Sequence, residues 1–372
     1  MAETNDNNLR EIRTDAKKRL YPYVAPKWAE ALRWKPRYKI DLCQTNTPIQ
    51  KWYLPEIPNS FEIYIKREDM TGGATSGHKI RRLEFNLAEA LEKNCDTVIT
   101  RGTISSNNCR TAAVASKELG FNVHLCMYKA KMKNQRLPFH GNHCIDRLVG
   151  AHLHLNPEPT QTNSTKERDE LYHSLRIEGY SPYIVSSEEA GDVGLFGYID
   201  CFDEMIKQGV TERFSDFIVT CGTGQTVAAF IIGNYRNGGK LRLHALSVLD
   251  DQATLRKAII DSLKDVAFLR EDYPEDDFSS LINIMDESVF PGYTFFTDKH
   301  VEFISEVATR TGILLDPAYT GKSAYTMVRM IQTTPDIFRG KKLLFYNTGS
   351  VFGLMNETFT RTAIRREPID EF

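Results

Sequence analysis

Apolar and polar residues alternate over positions 61–69, the pattern of a strand. Just beyond it, Ile80, Leu83, Leu87, Ala88 and Leu91 recur at the spacing of one helical face. Further strands are predicted at residues 96–100, 122–127, 152–155, 183–186, 216–221, 241–248, 312–315 and 342–346, and helices at 107–119 and 227–235. Most of these strand segments are near-continuous apolar runs, which marks strands buried on both faces of a parallel sheet. The pattern predicts an α/β protein built from βαβ units. Ligands in such sheets lie beyond the carboxyl ends of the strands, so the strand-to-helix loops are where chemistry is expected.

A chain of 372 residues suits two domains rather than one small one. Its 47 basic and 49 acidic residues nearly cancel, which implies neither a nucleic-acid nor an anionic-membrane partner. The seven cysteines are scattered and form no CxxC pair, so free thiols are expected rather than disulfides or a metal site. The first thirty residues mix acidic and basic groups, which predicts neither a secretory signal nor a transit peptide. No run approaches the roughly 20 apolar residues that span a bilayer, and a cytoplasmic protein is expected.

Five loops carry candidate chemistry. Lys79 follows Gly77-His78 at the predicted start of a helix, where desolvation can turn a lysine into a Schiff-base nucleophile; the same place suits a solvated lysine beside Arg81 and Arg82. Cys221-Gly222-Thr223-Gly224-Gln225-Thr226 joins a strand to a helix. Its glycines and the helix N–H groups would cradle an anion such as a phosphate monoester, unless the loop is a plain tight turn. The run is not GxxxxGK[ST], which disfavours a nucleotide P-loop. Ser105-Ser106-Asn107-Asn108 opens another helix, where Ser106 and Asn107 are either N-caps or ligands for a carboxylate and a phenolic oxygen. Tyr293 and Tyr319, in loops, suit acid–base work or packing.

In order, KxRxLE from Lys79, SNxxR from Ser106, GTGxT from Gly222 and LDPxYTGK from Leu315 resemble the pyridoxal-phosphate enzymes of the β family. Within that family they resemble the D-cysteine desulfhydrase and 1-aminocyclopropane-1-carboxylate deaminase group, and the plant-type desulfhydrases most of all. The resemblance runs from about Pro22 to about Asn356. It implies fold type II, two open twisted parallel-sheet domains like those of the tryptophan synthase β subunit. Residues 1–79 and 188–372 would form the larger, cofactor-binding domain and residues 80–187 the smaller. It implies pyridoxal 5′-phosphate, no metal, a small amino-acid substrate and a homodimer. Lys79 would carry the cofactor and move the Cα proton, and residues 221–226 would hold the phosphate. Asn107 would bond the phenolic oxygen and Ser106 the substrate carboxylate, with His78, Ser105 and Asn108 also facing substrate. Tyr293 and Tyr319 match the active-site tyrosines, and Thr320 or Thr348 would lie at the pyridine nitrogen.

The ring-opening deaminases carry an acid where this chain has Thr320, which cannot keep that nitrogen protonated. Loss of a good leaving group from Cβ is therefore favoured, with D-cysteine as the prototype. Ring-opening deamination, elimination from serine or cysteate, and racemisation are the alternatives, with a binding protein of little catalysis as a non-enzyme reading. The departures from the family pattern gather at the site: His78 before Lys79, Gln225 in the phosphate loop, Asn347 and Ser350 in Asn347-Thr348-Gly349-Ser350, and Glu188-Glu189 in a later loop. His78 either contacts substrate or replaces an asparagine cap. Glu188 and Glu189 either charge the substrate mouth or are solvated.

Overall fold

The computed structural model describes residues 2–128, 140–156, 161–186, 191–266, 282–349, 351–355, 359–360 and 363; Glu188, Glu189 and Ser350 lie outside them. The chain forms two compact units, one of residues 1–25, 35–44 and 71–197, the other of residues 26–34, 45–70 and 198–372. The division differs from the expected one at residues 1–25, 35–44, 71–79 and 188–197. The reason is burial: Ala16, Ile40, Ile80, Leu83 and Leu87 share one core, and Tyr23 packs edge-on to Phe85 at 4.9 Å.

The first unit holds a four-stranded sheet in the order His152–Asn156, Asn122–Tyr128, Thr97–Thr103, Pro182–Ile184, all parallel. Helices Lys79–Glu92 and Asn107–Glu118 pack on it through Leu87, Leu91, Ala112 and Ala115. The first of these is buried almost all round, because its polar residues are partnered. Glu84 accepts the Leu42 and Cys43 N–H groups at 2.9 and 3.1 Å, and Arg82 Nη2 donates to Asp192 Oδ2 at 2.6 Å.

The second unit has six strands in the order Ile282–Met285, Arg242–Ser247, Asp216–Cys221, Lys342–Asn347, Glu62–Arg67, Ile49–Lys51. All pair in parallel except the last, an antiparallel edge. Its core runs from Ile63, Ile65 and Phe345 of the sheet to Val301, Ile304, Met327 and Ile331 of helices Asp298–Thr311 and Thr320–Thr333. Strands Asp216–Cys221, Arg242–Ser247 and Lys342–Asn347 are buried almost throughout, as expected of a doubly covered parallel sheet, whereas edge strand His152–Asn156 is mostly half-buried or exposed.

The strand expected at residues 312–315 is absent. Gly312 (φ 67°) ends the preceding helix in the left-handed conformation, and the extended residues after it bury Ile313 and Leu315 without joining a ladder. Five of the seven cysteines are buried and free; Cys43 is half-buried and Cys144 exposed. Among the described residues no helix is long and apolar enough to cross a membrane.

Candidate active site

The candidate residues fall into two groups, one in each unit. In the first, Lys79 is the first residue of helix Lys79–Glu92. Gly77, with φ 106°, makes the turn before it, a conformation that glycine adopts without strain. Thr71 clamps this turn: its hydroxyl donates to the Gly77 carbonyl and accepts the Gly77 N–H, both at 3.0 Å. Arg110 holds the approach to it, with Nη1 donating to the Ala74 carbonyl at 2.6 Å and Nη2 to the Ser76 carbonyl at 3.0 Å. His78 is 7% exposed. Burial first, then the Lys79, Arg82 and Arg81 cations, hold its pKa well below the usual imidazole range, so it is neutral near pH 7.

Ser106 is the N-cap of helix Asn107–Glu118, its hydroxyl oxygen accepting the Cys109 N–H at 3.2 Å. The cap role is real, and it uses an acceptor lone pair rather than the hydroxyl proton. A Cβ on Gly102 would crowd Ser106 and Cys109, so glycine lets the strand end lie against the cap. Asn107 Oδ1 accepts from Asn142 Nδ2 at 2.7 Å, and the same Nδ2 donates to the Ser105 carbonyl at 2.8 Å. Ser105 itself is exposed. Asn108 departs from its expected substrate role. Its Nδ2 donates at 3.1 Å to Thr100, whose hydroxyl donates to the Val185 carbonyl at 2.9 Å, so the side chain is turned to the sheet.

In the second unit the buried strand Asp216–Cys221 runs into Gly222 and Thr223, and Gly224 (φ 91°) begins helix Gln225–Arg236. No side chain caps this helix, and its first internal bond is Ala228 N–H to the Gly224 carbonyl at 2.9 Å. The first-turn N–H groups of such a helix have no acceptor within the helix itself. A Cβ on Gly222 would lie 4.0 Å from the Tyr319 ring, which places that ring against the loop. The Tyr319 and Tyr293 hydroxyls are hydrogen-bonded to each other, with rings edge-on at 5.7 Å.

Both tyrosines are held by groups that the sequence reading gave no role. Asp316 accepts the Ala318, Tyr319 and Thr320 N–H groups at 3.1, 2.9 and 3.0 Å, fixing the helix start that carries Tyr319. An Asp three residues before the Tyr-Thr pair is a helix-start signature, and it could have been read from the sequence. Lys322 Nζ donates to the Gly292 carbonyl at 2.6 Å, next to Tyr293. Burial lowers its pKa to about 8, with Asp316 opposing.

Thr320 departs from its expected place at a pyridine nitrogen. Its hydroxyl donates to Asp316 Oδ1 at 2.7 Å and accepts the Asp316 N–H at 3.0 Å, and it is 1% exposed. Thr348 is left as the candidate. It follows Asn347, whose Nδ2 donates to Asp69 Oδ1 at 3.0 Å. Asp69 is itself clasped by Arg67, whose Nη2 donates to Oδ2 at 2.6 Å.

These donor sets suit pyridoxal phosphate. An uncapped helix start behind a glycine loop fits the phosphate dianion, an amide with its oxygen occupied fits the phenolic oxygen, and a lysine heads a helix. The match of the family model for pyridoxal-phosphate dependent enzymes spans residues 40–349, and the chain belongs to that family. It is an enzyme of fold type II that uses pyridoxal phosphate. Among its relatives is the bifunctional D-cysteine desulfhydrase/1-aminocyclopropane-1-carboxylate deaminase, mitochondrial, of Arabidopsis thaliana, 36% identical over 90% of this chain and 84% of that protein. A putative 1-aminocyclopropane-1-carboxylate deaminase of Pyrococcus horikoshii is 31% identical over 85% and 92%. The crystal structure of a 1-aminocyclopropane-1-carboxylate (ACC) deaminase homologue superposes with a TM-score of 0.74 at 27% identity, over 92% of this chain and 99% of the other.

Proposed function

We propose that this enzyme is a lyase of the D-cysteine desulfhydrase type, converting D-cysteine and water to pyruvate, sulfide and ammonia. The observation that carries the reading is the hydrogen-bonded Tyr293–Tyr319 pair standing against the Gly222 loop. A substrate held by way of a phosphate on that loop has a phenol pair beside it, able to give a proton to a departing sulfur. Bound pyridoxal phosphate supplies an electron sink for the pair left when the Cα proton is removed.

Lys79 carries the cofactor and then takes the Cα proton. The Gly222–Thr226 N–H groups hold the phosphate, and Thr348 lies at the pyridine nitrogen. The Asn107 amide donates to the phenolic oxygen. The Ser106 hydroxyl binds the substrate carboxylate, with the N-terminus of its helix adding favourable dipole. Neutral His78 adds a polar contact next to Lys79 without competing for a proton. A homodimer in the cytoplasm completes the proposal, to be tested by light scattering and by fractionation.

A second reading, ring-opening deamination, is supported by the double name of the plant relative. One panel separates them: D- and L-cysteine, serine, cysteate and 1-aminocyclopropane-1-carboxylate, each assayed for keto acid, sulfide and ammonia. Equal pyruvate and sulfide from D-cysteine is the expected result. Ammonia and 2-oxobutanoate from the cyclopropane, with no sulfide from D-cysteine, would reassign the reaction. Spectral changes without turnover would make this a binding protein.

A further inference from the structure

Asn142 lies on helix Gly141–Leu148, outside every loop assigned above, and is 2% exposed. Its hydrogen bonds have a defined direction. Arg110 Nε can only donate, and it donates to Asn142 Oδ1 at 3.2 Å. That fixes Nδ2 as the other end of the Asn142 amide, and Nδ2 donates to two acceptors: the Ser105 carbonyl at 2.8 Å and Asn107 Oδ1 at 2.7 Å. The Ser105 carbonyl cannot donate, so the assignment is over-determined from both sides. Its consequence lies one residue further on. With Oδ1 of Asn107 accepting from Asn142, the NH2 is the end of that amide turned away from Asn142.

We infer that Asn142 is a positioning residue that sets the Asn107 amide as a hydrogen-bond donor toward the phenolic oxygen of pyridoxal phosphate, with Arg110 setting Asn142 in turn. The inference rests on the proposed role of Asn107. An Asn107 amide turned the other way would present an oxygen to an oxygen, a repulsion in place of a bond. The same Arg110 guanidinium holds the Ala74 and Ser76 carbonyls before Lys79. One buried cation therefore sets both the approach to Lys79 and, through Asn142, the amide of Asn107.

The test is Asn142→Asp, which keeps the shape but replaces the donating NH2 by an acceptor, compared with Asn107→Ala and the double variant. Each is loaded with pyridoxal phosphate, and the visible absorbance of the bound cofactor and its dissociation constant are read alongside the circular dichroism of the cofactor-free chain. Asn142→Asp is expected to shift the visible band and weaken cofactor binding by about tenfold. Adding it to Asn107→Ala should change little more, since its effect passes through Asn107. Unchanged spectrum and affinity in Asn142→Asp, or effects that simply add in the double variant, would overturn the inference. If Asn142→Asp fails to fold, Asn142→Ala, which removes the donor without adding charge, should give a spectrum like that of Asn107→Ala, and a wild-type spectrum and affinity would count against the inference. An Asn107→Ala variant that binds and absorbs as wild type would instead defeat the role given to Asn107, a result distinct from either.

Discussion

Two lysines show why burial and pKa do not by themselves pick the nucleophile. Lys322 is fully buried with a pKa lowered to about 8, yet its ammonium is engaged by the Gly292 carbonyl beside Tyr293. Lys79 heads a helix behind a clamped glycine turn. Lys79→Ala should lower turnover by roughly 10²–10⁴-fold, the range for losing a positioned acid–base group. Lys322→Met should act through Tyr293, with a smaller loss. Steady-state rates on D-cysteine compare the two. His78 is held neutral by burial and by the Lys79, Arg82 and Arg81 cations, so its protonation should not shape the pH profile at or above neutrality. In His78→Asn the acid limb of kcat/KM should keep its wild-type midpoint; a midpoint that moves would show His78 titrating in the active enzyme. The types and order of Lys79, Ser106 and Asn107 were legible in the sequence because each sits at a helix start. The direction of Asn108 was not, because its partner Thr100 is brought to it by packing of helix on strand; that of Thr320 was open to reading, since its partner Asp316 is a local helix-start residue four positions before it.

At the scale of elements, the central parallel strands were legible as apolar runs, since burial on both faces leaves no alternation to misread, while Glu62–Arg67 was legible by its alternation. Residues 312–315 failed for the same reason: an apolar run shows burial, and only a neighbouring strand with a free edge makes it a strand. Gly197, near the start of helix Leu195–Lys207, lies against the backbone just after Lys79. A Cβ there would collide with the Arg81 carbonyl and the Arg82 N–H, neither of which can swing away. Gly197→Ala should therefore cost about 1–3 kcal/mol, as overpacking does, and weaken cofactor binding as the start of the Lys79 helix shifts. Denaturant unfolding with a cofactor titration measures both; unchanged stability would mean that the helix can move aside.

Across the molecule, several histidines are buried neutral. Burial, then His152 and His154, lowers His124 to about 4, and burial with Lys322 lowers His300 to about 4. Unfolded, each takes a proton below about pH 6.5, so between pH 6.5 and 4 the unfolded chain binds more protons and stability falls with pH. The thermal midpoint should drop from pH 7 to 5, and drop less in His124→Gln; an equal drop would remove His124 from the account. The division into units was the least legible feature, because residues 1–25 and 35–44 join the first unit through scattered contacts far apart in sequence, such as Ala16 and Ile40 in its core, Tyr23 on Phe85 and the Leu42 N–H on Glu84. The central claim is that pyridoxal phosphate is carried on Lys79, and borohydride reduction of the loaded enzyme, followed by peptide mass mapping, tests it most directly. The account predicts one reduced pyridoxyl group, on the peptide that contains Lys79. The group on Lys322 or another lysine, or no covalent group at all, would contradict it.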